Sequence, residues 1–233
     1  MKQLPLDLQI QRPVCSFDNY IAGQNQAVLQ QIHDIINRQP PHLFYLWGET
    51  GTGKSHLLQA ANHFVLQQKN NAIYLPLRQL IHYSCDILEN LGDIDLLCID
   101  DIQMIAGKAD WEYALFGLCN QLLDEKIPLL VAGNQAVIAL QFSLQDLVSR
   151  LVWGGVFQLT PLGNDEKQEL IQQYTQYLGL SVSPQVMKYL LNHCDNGDNM
   201  RLLIQCLHQL DDATRIEKRR LTIPFLKSQL DHD

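Results

Sequence analysis

The apolar residues of the chain recur at two spacings, which alternate as far as residue 161. Short unbroken apolar runs are typical of strands buried on both faces of a parallel sheet. Five such runs occur, at residues 42–47, 72–75, 96–100, 129–132 and 156–159. Between them, apolar residues three and four positions apart predict helices at residues 25–38, 54–66, 80–91, 111–125 and 144–151. We expect Asn25 to cap the first helix with its side chain. The alternation predicts an α/β fold, with a mostly parallel five-stranded sheet and helices on both faces.

The pattern changes after residue 163, where helical spacing predominates. Four helices are predicted there, at residues 164–178, 184–194, 200–215 and 224–230. The chain is long enough for a sizeable core and for one or two domains. We therefore expect an α/β domain over residues 16–162 and a small all-helical domain over residues 163–233.

A glycine-rich segment joins the first predicted strand to the next helix. Residues 48–55 read GETGTGKS, which matches the phosphate-binding pattern G-x-x-x-x-G-K-S/T. Backbone N–H groups of such a loop surround an anion at a helix N-terminus, and the lysine adds a positive charge. A chance glycine-rich turn is the alternative, and the flanking strand and helix argue against it. The residues expected to contact nucleotide are Gly48, Thr50, Gly51, Thr52, Gly53, Lys54, Ser55 and His56.

Two adjacent carboxylates, Asp100 and Asp101, close the third predicted strand. A carboxylate there can hold Mg²⁺ together with a phosphate-loop hydroxyl, and the next one can orient the attacking water. We assign metal binding to Ser55 and Asp100, and water activation to Asp101. Alternatively, the two carboxylates only cap the turn that follows.

Three further polar residues are candidates for a catalytic role. Asn134 follows the fourth predicted strand, so it is expected beside the γ-phosphate or the attacking water, unless it is an ordinary turn asparagine. Arg150 carries a permanent charge in a forked geometry, which suits a γ-phosphate contact supplied to another molecule. Arg201 opens a predicted helix of the second domain. For both arginines, a surface role is the alternative.

The composition is that of a globular protein, with 46% hydrophobic and 18% charged residues. The net charge of −8 argues against broad, salt-driven binding to nucleic acid. The six cysteines show no C-x-x-C spacing, which disfavours a zinc site. The sequence shows neither a signal peptide nor an apolar segment as long as a membrane span. We expect a cytoplasmic protein with reduced thiols and no membrane partner.

Four segments, taken in order, resemble motifs of the bacterial DnaA replication initiator family. They correspond to the start of its ATPase core, its Walker B region, its box VII and its sensor II, and lie at residues 16–23, 99–108, 149–154 and 200–202. The resemblance covers residues 16–230 and implies an AAA+ P-loop core followed by a helical lid. It implies ADP or ATP with Mg²⁺ as ligand. Asp101 is shorter than the glutamate usual in AAA+ proteins, and Asn134 stands where the initiator carries an acidic sensor. We therefore expect at most weak ATPase activity of the chain's own.

Both ends depart from the initiator, because few residues precede the core and the chain stops at Asp233, where the initiator continues into a DNA-binding domain. In this shape the chain resembles the Hda family of DnaA regulators. Its N-terminal segment, over residues 1–15, resembles the clamp-binding peptide of that family, through Gln3, Leu4, Leu6 and Leu8. Pro5 favours an extended backbone, which lets the leucines enter an apolar groove. Alternatively, these leucines pack on their own domain.

The resemblance implies a negative regulator of DNA replication initiation. Such a protein would bind the DNA polymerase III β sliding clamp, and so reach DNA indirectly. It would promote hydrolysis of DnaA-bound ATP, with Arg150 as an arginine finger. Self-association is left open. The alternative is a DnaA/DnaC-like loader or adaptor ATPase, which acts on a replication or repair partner by its own ATP hydrolysis.

Overall fold

The computed structural model describes residues 14–89, 91–180 and 182–194, together with Ile204 and Leu207. Several predicted features lie outside the described residues, namely Gln3, Leu4, Leu6, Leu8, Arg201 and the helix over residues 224–230. Of the helix predicted over residues 200–215, the two described residues are both helical.

Five strands form one sheet, in which every neighbouring pair is parallel, as predicted. They are β1 (Leu43–Trp47), β2 (Ala72–Pro76), β3 (Leu96–Asp100), β4 (Leu129–Gly133) and β5 (Gly155–Gln158). Their order across the sheet is β2-β3-β4-β1-β5. Because the strands are parallel, all five end at one side of the sheet, here called the carboxyl edge, and begin at the opposite side, the amino edge.

The side chains of β1 alternate between two hydrophobic cores. Leu43 and Tyr45 face one core, whereas Phe44 and Leu46 face the other, and none of the four is more than 1% exposed. This period of two is the geometry of a pleated strand. Burial on both faces explains why the sequence shows an unbroken apolar run rather than alternation.

Helices cover both faces of the sheet and continue beyond it. They are α1 (Gln26–Ile36), α2 (Lys54–Gln67), α3 (Leu77–Leu80), α4 (Ala109–Asp124), α5 (Gln145–Trp153), α6 (Asn164–Tyr177) and α7 (Pro184–Cys194). The first two pack in the core that contains Phe44, and α4 and α5 pack in the core that contains Tyr45. The last two share a third cluster, which includes Ile171 and Leu190. Among the helices in the described part of the chain, none could cross a membrane.

The prediction of one helix over residues 80–91 is wrong. The chain forms the single turn α3 and then a separate 3-10 turn over Cys85–Leu88. Ser84 separates them, because its backbone is extended and its hydroxyl accepts a 3.3 Å hydrogen bond from the Asp86 N–H. Leu88 is buried in the core that contains Tyr45, and Leu80, Ile81 and Ile87 pack against it, which explains the apolar spacing that resembled a helix.

Asn25 occupies the N-cap position of α1, as predicted, but its side chain makes no capping hydrogen bond. Its side-chain Nδ2 donates to the Thr160 carbonyl at 2.9 Å, and its Oδ1 accepts from the Thr160 N–H at 2.8 Å. Asn25 is 2% exposed, so these two bonds replace its contacts with water. A tertiary pair between the start of α1 and the end of β5 thus outcompetes the local cap.

Tyr45 and Gly133 meet where β1 and β4 run side by side. The Tyr45 hydroxyl donates a 2.6 Å hydrogen bond to the Gln135 carbonyl and fills the space that a β-carbon on residue 133 would need. We expect Gly133→Ala to displace this buried ring and to lower the free energy of unfolding by about 1–3 kcal/mol, the usual cost of overpacking. Urea unfolding followed by circular dichroism measures the change.

Gly117→Ala is the matched control, because Gly117 lies on the exposed face of α4 with open space around it. Alanine favours a helix over glycine by about 1 kcal/mol, so this variant should be as stable as the parent or more so. Equal stability of the two variants would show that the Tyr45 ring does not constrain residue 133.

Candidate functional site

The phosphate loop lies between β1 and α2, at the carboxyl edge of the sheet. Gly51 and Gly53 have φ angles of 88° and 91°, in the left-handed region that favours glycine. A β-carbon on Gly53 would also lie 2.9 Å from the ring of Tyr20. The glycines therefore turn the chain sharply into α2, which begins at Lys54.

The first turn of α2 offers backbone donors to an anion. The first bond inside the helix is donated by the Leu57 N–H to the Gly53 carbonyl, at 3.0 Å. The N–H groups of Lys54, Ser55 and His56 precede this first donor, so they have no acceptor within the helix. No acidic side chain lies in this turn, so the positive end of the helix dipole is available to phosphate.

Lys54 has its ammonium group within the phosphate loop. Its Nζ donates to the carbonyls of Gly48 at 2.7 Å and Glu49 at 2.6 Å. Burial lowers the pKa of Lys54, although the nearby carboxylates of Asp100, Asp101 and Glu49 oppose that shift. The influence of the two aspartates on Lys54 places the acidic pair and the loop in one electrostatic environment.

The remaining residues of the loop divide between shaping it and facing outward. Thr52 is 5% exposed, and its hydroxyl donates to the Glu49 carbonyl at 2.9 Å, so its side chain shapes the loop. Thr50 and Ser55 are exposed. The Ser55 hydroxyl is therefore accessible to a metal ion, as its predicted role requires.

Residues 16–20 cover one side of the loop. Tyr20 packs on Gly53, and its ring centre lies 5.5 Å from that of His56. A ring nitrogen of His56 lies 3.0 Å from the Ser16 carbonyl, and burial lowers the pKa of this histidine. The side chain of His56 thus contacts Ser16 and Tyr20, and its backbone N–H remains the group available to phosphate. Sequence reasoning missed Tyr20.

Asp100 ends β3 and is 4% exposed. One carboxylate oxygen accepts a 2.7 Å hydrogen bond from the Tyr74 hydroxyl, and the other accepts one from the Asp101 N–H at 2.9 Å. Burial and the adjacent Asp100 charge raise the pKa of Tyr74, which keeps its hydroxyl protonated as a donor. A carboxylate oriented in this way retains lone pairs for a cation or for its water ligands.

Asp101 has a strained backbone and two side-chain partners. Its φ and ψ are 58° and 44°, in the left-handed region. Arg78 binds both of its oxygens, at 2.9 and 3.3 Å, and the Gln103 amide donates to it at 2.7 Å. Burial opposes ionisation, but these hydrogen bonds outweigh burial and lower the pKa of Asp101. The carboxylate predicted to activate water is therefore already held by an arginine.

Gln103 joins the acidic pair to the end of β4. Its amide group donates to Asp101 and accepts from the Asn134 N–H at 3.2 Å. Asn134 is exposed at the carboxyl edge, and the hydrogen bond from Tyr45 to Gln135 fixes the next residue. The structure thus brings the predicted residues Asp101 and Asn134 together through a side chain that sequence reasoning missed.

Arg150 lies away from this group. It is in the last turn of α5, and the chain continues to Gly154, which packs tightly against the carbonyl of Leu43. Leu43 is the first residue of β1, whereas the phosphate loop follows its last residue, Trp47. Arg150 is therefore toward the amino edge, and no ion-pair partner for it is found in the described part of the chain.

The arrangement fits a magnesium nucleotide better than a protein-held metal. Within residues 14–89, 91–180 and 182–194, no group of three or more His, Cys, Asp or Glu side chains could hold a metal ion. Mg²⁺ at nucleotide sites takes only one or two protein ligands, with phosphate oxygens and waters completing its shell. Ser55 and Asp100 are the two residues predicted to serve in that mode of binding.

Comparisons with known proteins agree with this architecture. A family model described as the bacterial DnaA ATPase domain matches residues 12–158, and one described as "Hda, lid domain" matches residues 164–230. An uncharacterized protein of Haemophilus influenzae is 34% identical over 230 residues, which cover 98% of each chain.

Solved structures show the same fold at low sequence identity. Domain III of the Thermotoga maritima replication initiation protein DnaA has a TM-score of 0.81 at 20% identity, covering 95% of this chain and 97% of that one. AMPPCP-bound DnaA from Aquifex aeolicus has a TM-score of 0.71 at 23% identity, covering 85% of this chain and 65% of that one. The RuvB Holliday junction branch migration motor of Thermotoga maritima has a TM-score of 0.68 at 18% identity, covering 94% and 72%.

The parallel sheet, the phosphate loop and these structural neighbours define a P-loop protein of the AAA+ class with a helical lid, which confirms the predicted fold. The match to the DnaA ATPase domain extends over more than half of the chain. The chain therefore belongs to the Hda/DnaA-like AAA+ family, which is a family of replication-initiation regulators.

The Arg78–Asp101 pair generates a test of the site's electrostatics. Removing the guanidinium in Arg78→Ala should raise the pKa of Asp101, because burial would then be opposed by fewer hydrogen bonds. A carboxylate with a lowered pKa stabilises the folded state above its unfolded pKa, and this stabilisation is lost as pH falls through the folded pKa. The free energy of unfolding of Arg78→Ala should therefore fall less than that of the parent as the pH is lowered. Carboxyl-detected NMR titration measures the pKa.

The effect on overall stability should stay below about 1 kcal/mol, since the Arg78 side chain is 59% exposed and its ion pair is screened by water. Arg38→Ala is the matched control, because Arg38 forms a similar exposed ion pair with Asp95, at 2.7 Å. It should leave the Asp101 titration unchanged. An unaltered Asp101 pKa in Arg78→Ala would contradict the assigned contact.

Proposed function

We propose that this chain is a negative regulator of replication initiation, which promotes hydrolysis of the ATP bound to the DnaA initiator and so prevents re-initiation. The position of Arg150 carries the proposal. It lies toward the amino edge of the sheet, away from the chain's own phosphate loop and without an ion-pair partner among the described residues. An arginine so placed is suited to a phosphate that belongs to another molecule.

Arg150 would act as an arginine finger on the initiator's nucleotide. Its guanidinium is always charged and presents a planar set of donors, which matches the oxygens of a phosphoryl group. Charge spreads over those oxygens as the bond to the leaving group breaks, so a fixed cation stabilises the transition state. Fingers of this kind accelerate hydrolysis by roughly 10³–10⁵-fold.

The chain's own nucleotide would have a different role. The α2 N-terminus and Lys54 would hold the phosphates of ADP or ATP, and Ser55 with Asp100 would hold Mg²⁺, which neutralises phosphate charge when bound. Asn134 would lie near the terminal phosphate. Because Asp101 is engaged by Arg78, turnover at this site would be weak. We propose that nucleotide here mainly sets a conformation competent for assembly.

Two further roles are proposed for residues 1–15 and for Arg201. Residues 1–15 would dock on the DNA polymerase III β sliding clamp through Gln3, Leu4, Leu6 and Leu8. Inactivation would then follow clamps loaded on DNA, and the chain would meet DNA only indirectly, in the cytoplasm at the replisome. Arg201, in the helical domain over residues 163–233, would contact nucleotide above the α/β domain.

A loader or adaptor ATPase is the second candidate. It would deliver a partner to DNA by its own hydrolysis, which the intact phosphate loop and the Asp100–Asp101 pair favour. The two candidates differ in whose nucleotide is cleaved, so variants of Arg150 and Asp101 separate them.

Arg150→Ala should lower the stimulated rate of hydrolysis of initiator-bound ATP about 10³-fold, because an arginine finger usually contributes at least that much. The assay contains purified DnaA carrying labelled ATP, clamp loaded on DNA, and this protein with unlabelled nucleotide. Arg38→Ala is the control, because it removes an exposed arginine near the start of β1 without touching Arg150.

Asp101→Asn should leave that stimulated hydrolysis within about twofold, since the reacting nucleotide belongs to the partner. The opposite result would refute the regulator proposal and support the loader proposal. In that result, Asp101→Asn abolishes the stimulated hydrolysis and Arg150→Ala preserves it.

Deletion of residues 1–8 should abolish retention of the clamp in a pull-down, because the apolar anchors of the peptide are removed. Thermal unfolding of the deleted chain serves as the folding control. A second control replaces the segment with a scrambled one of the same composition, which should also fail to retain clamp. Unchanged clamp retention after deletion would remove the main partner from the regulator proposal.

A further inference from the structure

Trp153 is exposed beside the arginine on which the proposed function depends. Its side chain is 73% exposed, although large aromatic side chains are usually mostly buried. It ends α5, three residues after Arg150, and the guanidinium carbon lies 5.4 Å from the centre of its ring. That separation is within the range of a cation–π interaction, in which an aromatic face attracts a positive charge.

The backbone that carries this pair is held on two sides. Leu151 is fully buried in the core that contains Tyr45. On the other side, Gly154 lies so close to the Leu43 carbonyl that no β-carbon would fit. The last turn of α5 therefore has little room to shift against β1. The backbone of Trp153 is held in place, so its ring can support the Arg150 guanidinium.

Arg150 needs such a support, because nothing else in the described residues fixes its charged end. It has no ion-pair partner there. A free arginine side chain has several rotatable bonds, and ordering them at the moment of contact weakens that contact. A guanidinium that is already oriented loses less freedom when it meets the phosphoryl group.

We propose that Trp153 is a positioning residue, whose ring holds the Arg150 guanidinium in the orientation that meets the partner's phosphoryl group. This inference rests on the proposed function. Trp153 itself would not contact the nucleotide, because its ring acts through Arg150. The competing role for an exposed aromatic is a docking anchor, because Val152 and Val156 are also 45% and 40% exposed.

The test compares Trp153→Leu with Trp153→Phe. Leucine keeps an apolar side chain but has no aromatic face, whereas phenylalanine keeps the face. Hydrolysis of DnaA-bound ATP is measured over a range of concentrations of this protein, with clamp loaded on DNA. This separates the rate at saturation, which reports orientation of the finger, from the half-saturating concentration, which reports docking.

A positioning role predicts that Trp153→Leu lowers the saturating rate about three- to fivefold, the size expected from loss of a cation–π contact at an exposed site. The half-saturating concentration should stay within about twofold of the parent, and Trp153→Phe should recover most of the rate. Val152→Ala is the control for a change on the same exposed surface, and it should keep the parental saturating rate. Thermal unfolding of each variant confirms that the chain is folded.

A parental saturating rate in Trp153→Leu would overturn the inference. So would a rise in the half-saturating concentration alone, which would make Trp153 a docking anchor, or a failure of Trp153→Phe to recover the rate. Arg150→Ala is assayed in parallel. If the parent does not stimulate hydrolysis, or Arg150→Ala does not reduce it, the proposed function fails. If Arg150→Ala abolishes stimulation while Trp153→Leu matches the parent, only the present inference fails.

Discussion

The pairing of β1 with β4 on one side and β5 on the other is the constraint on which the rest of the structure depends. It buries Leu43 to Leu46 completely, so the strand can neither slip nor tilt without exposing two cores. Its carboxyl end fixes where the phosphate loop begins. Its amino end receives Gly154 and so fixes where α5 stops. One buried strand thus places the nucleotide site and Arg150 at opposite edges of the same sheet.

At the carboxyl edge, hydrogen bonds join α3, the turn after β3 and the end of β4. Arg78, Asp101, Gln103 and the Asn134 backbone form a continuous chain of donors and acceptors. Gln103 is the shared member, since its two amide atoms serve the acidic pair and the end of β4 at once. Gln103 thus links the acidic pair to the end of β4 by hydrogen bonds.

Much of the fold could be predicted from sequence, because buried strands and amphipathic helices show their period locally. The phosphate loop is equally local, since its glycines and Lys54 all lie within residues 48–54. The contacts that adjust the site could not be predicted, because they join distant positions. Nothing around Arg78 indicates that it meets Asp101, and Asn25 resembles a cap although it bonds Thr160. Gln103 did carry a signal, as a polar residue within an apolar turn directly after the acidic pair. The helix predicted over residues 80–91 does not form, because Ser84 is extended and its hydroxyl accepts a hydrogen bond from the Asp86 N–H. The two short turns also pack the apolar residues of this segment against the core.

The opposite placement of Arg150 and the phosphate loop gives the chain a polarity. A contact that joins the arginine of one molecule to the nucleotide of another uses two different surfaces, so it is heterologous and cannot be satisfied by a two-fold symmetric pair. A molecule joined through its Arg150 surface still presents its own phosphate loop at the far edge. In the proposed function, assembly through these surfaces would therefore be directional, and its growth would end at a molecule that lacks a matching surface.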